Sequence, residues 1–356
     1  MSERYYIATP ISPNNFAGTK AREDIESLAE SRGMQRFAFC GNTTANRNPV
    51  ARIHLIWQGL INWIRLERVI SPRALVLFQY PHYPLKSARL ARIMLRRIQR
   101  KKHVRFVALV HDLNSARNMF GEAAVYSDRH FLPQFDAIIC HNDRMRDFLI
   151  RSGCEAGKLV SLGVFDYLTD EIIPSGIVPF SPSVNIAGNL SREKSGYLYQ
   201  LLDSGFDYRL FLYGAGFSCA ADHPLVSDEG LVAPWLLPTK LKGAFGLVWD
   251  GERADSCSGD FGAYLAINNP HKLSLYLAAG IPVICWSGAA LAGYIEQNGL
   301  GFCVGALGEI LERFRCMEEQ DYQTMRSNAA QEGARIRSGY YFDRAIREVE
   351  KICLSN

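Results

Sequence analysis

A chain of 356 residues exceeds one ordinary domain of ~100 to 200 residues and fits two lobes with a cleft between them. Hydrophobic residues at 48% and charged residues at 21% exclude a disordered chain and supply apolar material for two cores. A formal net charge of +4 is mild, so only a local basic run hints at nucleic acid, and no nucleic-acid partner is expected. No basic segment followed by an apolar stretch opens the sequence, and no window approaches the ~18 apolar residues of a membrane span; a cytoplasmic protein is expected. The nine cysteines are scattered and never spaced C-x-x-C. Several lie in apolar runs such as RFAFC and IPVIC, so structural thiols in a reducing compartment fit better than a zinc site.

In chain order, apolar runs rich in β-branched or aromatic residues alternate with amphipathic segments. Strands are expected at YYIATP (5–10), RFAFC (36–40), ALVLFQYP (74–81), VRFVALVHD (104–112), AIICHN (137–142) and LVSLG (159–163). Helices are expected over 17–32, 52–69, 85–102 and 143–152. Continuously apolar strands separated by helix-length segments predict a parallel sheet covered on both faces. Residues 1–165 therefore read as one doubly wound α/β lobe.

The proline-containing stretch FDYLTDEIIPSGIVPFSPS breaks the pattern and places a linker at 166–182. Alternation resumes with SVNIAGN (183–189), YRLFLYGAG (208–216), FGLVWDG (245–251), IPVICW (281–286) and GFCVG (301–305). A second lobe of the same kind is expected over 183–356, closing with helices.

Two stretches in that lobe carry chemistry. INNPHKLSLYLAAGIPVI (267–284) has the rhythm of a buried helix, with Leu273, Leu275, Tyr276 and Leu277 for the core and Gly280 as the stop. Asn268-Asn269-Pro270 is a helix start, in which an Asn can cap and Pro lacks an N–H that would be orphaned anyway. His271 and Lys272 then fall in the first turn, where the helix dipole disfavours cations, and an anion in front of that turn resolves the conflict. AGNLSREKSGYL (187–198) repeats the arrangement after the first strand of the lobe. Gly188 permits a turn, Ser191 can cap, and Arg192 and Lys194 bring cations to the next helix. Two such sites suit the two phosphates of a diphosphate leaving group, against the plain alternative of buried connections with incidental basic residues.

The segments AGNLSREK, FGLVWDGE, CSGDFGAYLAINNPHKLSLYLAAGIPV and IRSGYYF resemble the bacterial β-1,6-galactofuranosyltransferases and the related glucosyltransferases of surface-glycan and adhesin glycosylation. AGTKAREDI, LVHDLNSAR and CHNDRM extend the resemblance to the first lobe. It implies the GT-B fold, two Rossmann-like lobes facing across a cleft, with a nucleotide sugar on the second lobe, the acceptor on the first and no essential metal. The donor implied is UDP-galactofuranose, with UDP-glucose as the alternative, and no cofactor. Arg192 and Lys272 match the diphosphate contacts, and Asn269 and Pro270 the turn that shapes them. His271 and Leu273 accompany them, and Asn189 with Leu190 forms the turn ahead of Arg192 and Lys194. Asp250 and the loop Ser258-Gly259-Asp260-Phe261-Gly262 are matched to the sugar or nucleoside, and the turn Gly18-Thr19-Lys20 to the cleft face of the acceptor lobe.

An inverting, β-forming transfer needs one group to take the acceptor's proton. His111 and Asp112 end the strand VRFVALVHD on the correct side for chemistry. Neighbours in a strand point to opposite faces, so one is the base; Asp112 is favoured and His111 stays open. A nucleotide-sugar-binding partner without activity is a competing class. The acceptor glycan can be lipid-linked, and a homo-oligomer stays open. Finally, nine Lys or Arg and no acid occur between Lys86 and Arg105. Leu85, Leu90, Ile93, Met94 and Ile98 are expected to form an apolar strip flanked by arginines, which suits a helix lying on an anionic membrane at the inner face of the plasma membrane; a helix packed on the sheet with a solvated basic face is the alternative.

Overall fold

A computed structural model describes residues 3–8, 16–40, 49–81, 87–174, 176–219 and 223–354. The chain forms two compact units, residues 1–162 with 342–356 and residues 163–341. Each is built on a six-stranded parallel sheet. The α/β, doubly wound expectation holds in both.

In the first unit the elements are β1 (Arg4–Ala8), α1 (Phe16–Ser31), β2 (Gln35–Ala38), α2 (Pro49–Val69), β3 (Leu75–Tyr80), α3 (Ala88–Lys102), β4 (Arg105–Val110), α4 (Gly121–Tyr126), β5 (Ala137–Cys140), α5 (Asp143–Arg151) and β6 (Leu159–Ser161). Thr9, Pro10, Leu85 and Lys86 of the expected elements lie outside the described residues. The strand order is β2-β1-β3-β4-β5-β6. Every residue of β3 and β5 is buried, because helices cover both faces, and this is why the strands read as unbroken apolar runs. Trp63 of α2 stacks on Phe78 of β3 with ring centroids 6.2 Å apart, and Phe39, Phe106, Phe131 and Phe135 complete the cluster.

The expected apolar strip of the basic helix is corrected by this packing. Met94 and Ile98 of α3 are buried with Ala88, Ala91 and Leu95, whereas Ile93 stays 63% exposed. A helix tied into a doubly wound unit turns its widest apolar stripe inward, so that stripe is not available to a lipid surface.

The second unit contains β7 (Ser183–Asn189), α6 (Gly196–Ser204), β8 (Arg209–Ala215), β9 (Val226–Gly230), β10 (Phe245–Val248), α7 (Gly259–Tyr264), α8 (His271–Ala278), β11 (Val283–Trp286), α9 (Ala292–Gln297), β12 (Gly301–Val304), α10 (Ile310–Arg315) and α11 (Glu319–Arg337). Its strand order is β12-β11-β10-β7-β8-β9, so the path of the chain through the sheet reverses between β7 and β10. β9, with the sequence VSDEG, was not expected; it is a partly exposed edge strand with no apolar run to announce it.

The last helix, α12 (Tyr340–Leu354), corrects the expected second lobe of 183–356. From Phe342 onward it counts with the first unit, where Arg4 Nη1 lies 2.8 Å from Glu350 Oε1 and Arg344 Nη2 donates to the Leu162 carbonyl at 2.7 Å. Arg32, in the turn after α1, also pairs with Asp343. The stretch 166–182 is irregular, as its prolines predict, yet it is part of the second unit. Its Phe180 ring packs against Phe245, Phe314 and Tyr322. All nine cysteines are free, and burial pushes the Cys140 thiol up to about 12.

Candidate functional site

The reversal of strand order in the second sheet is where a doubly wound fold opens a crevice beyond the carboxyl ends of its strands. β7 and β10 pair at Val184–Phe245 and Asn185–Gly246. Tyr276 of α8 spans the two strands at the end of that register: its ring covers Gly246, where an added Cβ would lie 2.1 Å from the ring, and its hydroxyl accepts the Ala187 N–H at 2.9 Å. The phenol thus takes over a backbone donor that a ladder would otherwise satisfy. Burial raises the Tyr276 hydroxyl above the ordinary phenol range and keeps it protonated.

Lys272 precedes Tyr276 by one helical turn on the same face, so seating Tyr276 also sets Lys272. Its Cε would be 3.3 Å from a Cβ at Gly188, the residue with φ of +130° near the end of β7. The ammonium donates to the Trp249 carbonyl at 3.1 Å and to Asp250 Oδ1 at 2.9 Å. Burial alone would pull this ammonium down, but the Asp250 carboxylate beside it wins and the net direction is up, so the group stays charged. An ammonium has three protons to donate, and among the described residues two are taken.

The helix start differs from expectation in detail. Pro270 occupies the cap position, His271 is the first helical residue, and no side chain caps α8. Asn269, expected to cap, is buried and donates its amide to the Gly163 carbonyl instead. His271 stacks on Tyr167 with centroids 5.0 Å apart and meets the edge of Phe165. Leu273 is fully buried and belongs to the core rather than to a ligand surface. These residues fix the approach of α8, while Lys272 presents the charge. Gly280 ends the helix as expected, at φ of +69°, with Ile281 N–H bonded to the Tyr276 carbonyl at 2.9 Å.

The second expected helix N-terminus is corrected. Arg192 and Lys194 lie in a turn, and α6 begins only at Gly196. That N-terminus is covered by the protein's own loop: Tyr197 N–H bonds to the Gly251 carbonyl at 3.4 Å, and a Cβ at Gly196 would meet the Glu252 carbonyl at 2.8 Å. Ser191 does not cap the helix; Asn189 Oδ1 accepts the Ser191 N–H at 2.9 Å and Ser195 Oγ donates to the Asn189 carbonyl at 2.7 Å, which shapes the turn. Arg192 is exposed, its guanidinium 4.2 Å above the Tyr199 ring, with no carboxylate partner among the described residues. Lys194 Nζ sits 3.1 Å from the Phe261 ring centroid and so links this turn to α7.

Asp250 begins a tight loop to α7. Gly262 is buried because a Cβ there would come within 2.5 Å of the Cys257 backbone, so it serves loop packing; Gly259, at φ of +72°, is exposed at the turn. Sequence reasoning missed two participants and the burial of a third. Gly214, at φ of +154°, lets β8 close on Gly188, Trp249 is fully buried behind the Lys272 contact, and Asn268 Oδ1 is buried without a donor among the described residues. Of these, only the double asparagine carried a visible signal.

In the first unit, Thr19 and Lys20 lie within α1 rather than in a turn, and Lys20 is buried in an ion pair with Asp24 one turn on. His111 and Asp112 do follow β4, as expected. Asp112 Oδ2 is 2.8 Å from Arg117 Nη1, and His111 Nε2 is 2.7 Å from Gln79 Oε1. The Gln79 amide nitrogen lies 3.4 Å from both the Arg22 carbonyl and Glu26 Oε1. Burial pushes Glu26 up to about 7. Among the described residues no group of three or more His, Cys, Asp or Glu is arranged to hold a metal ion.

Residues 4–164 match the family described as glucosyltransferase 3-like, N-terminal domain, and residues 184–349 match its C-terminal domain. The chain is 34% identical over 247 residues to beta-1,6-galactofuranosyltransferase WbbI of Escherichia coli (strain K12), covering 69% of this chain and 71% of that protein. It is 28% identical over 213 residues to glucosyltransferase 3 of Streptococcus gordonii, covering 60% of this chain and 61% of that one. Among solved structures, the apo form of lipopolysaccharide outer core galactosyltransferase WaaB superposes with a TM-score of 0.61 at 14% identity over 99% of both chains. Anabaena HepE in complex with UDP and glucose gives 0.60 at 13% identity over 100% of this chain and 99% of that one. At these identities the likeness is one of fold, the GT-B pair of Rossmann-like units.

The Lys272–Asp250 contact is testable by itself. Asp250→Ala strands a largely buried ammonium and is expected to cost about 1 to 3 kcal/mol, less than a fully dry pair because each side chain keeps about a fifth of its exposure. Adding Lys272→Met should recover most of the loss. Urea denaturation of the double-mutant cycle reads this, and additive effects would remove the coupling.

Proposed function

This chain belongs to the glucosyltransferase 3-like family, and from that premise we propose that it transfers a hexose from a UDP-sugar to a glycan acceptor. The observation that carries the reading is Lys272, a charged ammonium held over Gly188 at the switch point of the second sheet, with one proton uncommitted to protein among the described residues. A diphosphate seated there meets that ammonium, the start of α8 and the Arg192 guanidinium, whose charge no carboxylate among the described residues matches. As the bond from the sugar to the diphosphate breaks, negative charge grows on the leaving group, and each charge-assisted contact contributes ~1.5 to 3 kcal/mol. Asp250 keeps Lys272 placed before the donor arrives, so little reorganisation is needed at the moment of reaction.

Galactofuranose transferred in β-linkage during surface polysaccharide synthesis is the preferred finer reading, because the E. coli relative of that activity has the higher identity, 34% over 247 residues. UDP-glucose is the second reading, favoured by the two streptococcal glucosyltransferases at 28% and 25% identity. Incubation with each donor and a panel of soluble and lipid-linked glycans, read by product mass, decides between them. Turnover of neither, with UDP still bound, would leave a nucleotide-sugar-binding protein.

The base of an inverting transfer is assigned here to His111 in preference to Asp112. The Asp112 carboxylate is engaged with Arg117. Gln79, whose amide nitrogen lies 3.4 Å from the Arg22 carbonyl, presents Oε1 to His111 Nε2 at 2.7 Å and so holds the imidazole at the carboxyl end of β4. A positioned imidazole can take the hydroxyl proton as the sugar bond forms, contributing roughly a hundredfold or more to rate.

Three outcomes are expected. Lys272→Ala should weaken UDP binding by calorimetry and lower turnover, with the fold retained; normal affinity and rate would return the helix start to a purely structural role. EDTA should leave UDP binding and transfer intact, since Lys272 and Arg192 act where a divalent ion otherwise would; strict magnesium or manganese dependence would contradict it. His111→Ala should reduce kcat by about a hundredfold or more while UDP still binds, and Asp112→Asn should cost less; the reverse order moves the base to Asp112.

A further inference from the structure

The basic run of α3 is not used by the chemistry above, and its exposed side has a neighbour. Right-handed crossovers from β2 to β3 and from β3 to β4 put α2 and α3 side by side on one face of the first sheet. They run in the same direction and at matched levels: a Cβ at Gly59 would lie 4.0 Å from Ser87 Oγ, and Glu67 pairs with Arg97 at 3.0 Å and Lys101 at 2.9 Å. That register sets Ile61 level with Ile93. Both are left in water, 51% and 63% exposed, and Trp57, one turn earlier on α2, is 60% exposed. Arg65, Arg68, Arg89, Arg96 and Arg100 are exposed on the same two helices. The sole acid in either helix is Glu67, which is nearly buried and already shared by two cations.

We propose that this face, with Trp57, Ile61 and Ile93 at its centre and arginines around it, docks the first unit reversibly onto an anionic lipid bilayer. The combination selects the partner. An interfacial site takes an indole and aliphatic side chains into the boundary of the acyl region while guanidinium groups lie at the level of lipid phosphates. A second copy of the chain would bring five exposed arginines against five of the same sign, which a two-fold contact cannot relieve. Nucleic acid would use the arginines but has no place for two exposed isoleucines. The inward stripe of α3, Met94 and Ile98, takes no part because the sheet already covers it. No helix among the described residues is long and apolar enough to cross a membrane, so the contact proposed is with a surface.

The test is flotation of the full chain with phosphatidylcholine vesicles, with and without phosphatidylglycerol. The wild type should rise with the anionic vesicles at low salt and stay at the bottom with neutral ones. Each cation near such a surface is worth about fivefold in partitioning, so Arg96→Gln with Arg100→Gln should weaken it roughly 25-fold. Trp57→Ser with Ile93→Ser should weaken it by about tenfold or more. All four positions are exposed, so unchanged melting and gel-filtration profiles are expected and should be checked. The proposal is overturned by a wild type that does not float with anionic vesicles, or by double variants that float as well as the wild type. Assignment of the face to a dimer, through self-association that the variants abolish, or to RNA, through steeply salt-dependent binding without flotation, would overturn it too.

Discussion

The site depends on where one tyrosine sits. Tyr276 lies on Gly246 of β10 and receives the Ala187 N–H of β7, so one side chain spans the two strands where their pairing ends. Any side chain at position 246 would collide with the ring, and a residue without a hydroxyl at 276 would leave a buried backbone donor unmet. Once Tyr276 is seated, the 3.6-residue period of α8 leaves Lys272 no other place than above Gly188 and beside Asp250. Packing, ladder geometry and the position of the charge are therefore one constraint.

Around that charge the protein uses its own backbone to decide which helix ends stay available. The N-terminus of α6 is closed by the Gly251 carbonyl and the Glu252 backbone, whereas α8 begins after Pro270 without a side-chain cap. Gly214 and Gly188 let the ends of β8 and β7 approach, and Gly262 lets the loop after Asp250 fold back on itself. Small residues here are needed for close backbone approach, which a ligand-binding role for each glycine would not explain.

The first unit has the same architecture but treats its polar groups differently. Lys20, in the helix after β1, is spent on Asp24, and Asp112 on Arg117, so the two positions that look most reactive on paper are engaged inside the unit. A network of Arg22, Glu26, Gln79 and His111 gathers at the carboxyl ends of β3 and β4 instead, joined by the two ends of one glutamine side chain. Its members come from α1, β3 and the end of β4, far apart in the chain.

Much was legible in the sequence because the signals were local and repeated. Continuous apolar runs announced eleven of the strands through the physics of a sheet covered on both faces; the helix from His271, its stop at Gly280 and the misplaced cation at Lys272 were likewise readable from caps and the helix dipole. What tertiary structure alone decided were the partners. Asn269 reaches Gly163, α12 joins the first unit through Arg4 and Leu162, and Gln79 turns toward His111. The polar edge strand β9 and the inward face chosen by α3 belong to the same class. The sequence by itself determined the two α/β units and the residue that brings positive charge to a helix start, since both follow from spacing along the chain. Which helix end stays open, which side chains are already paired and which apolar residues remain in water are set by contacts between distant segments, and no periodicity records those.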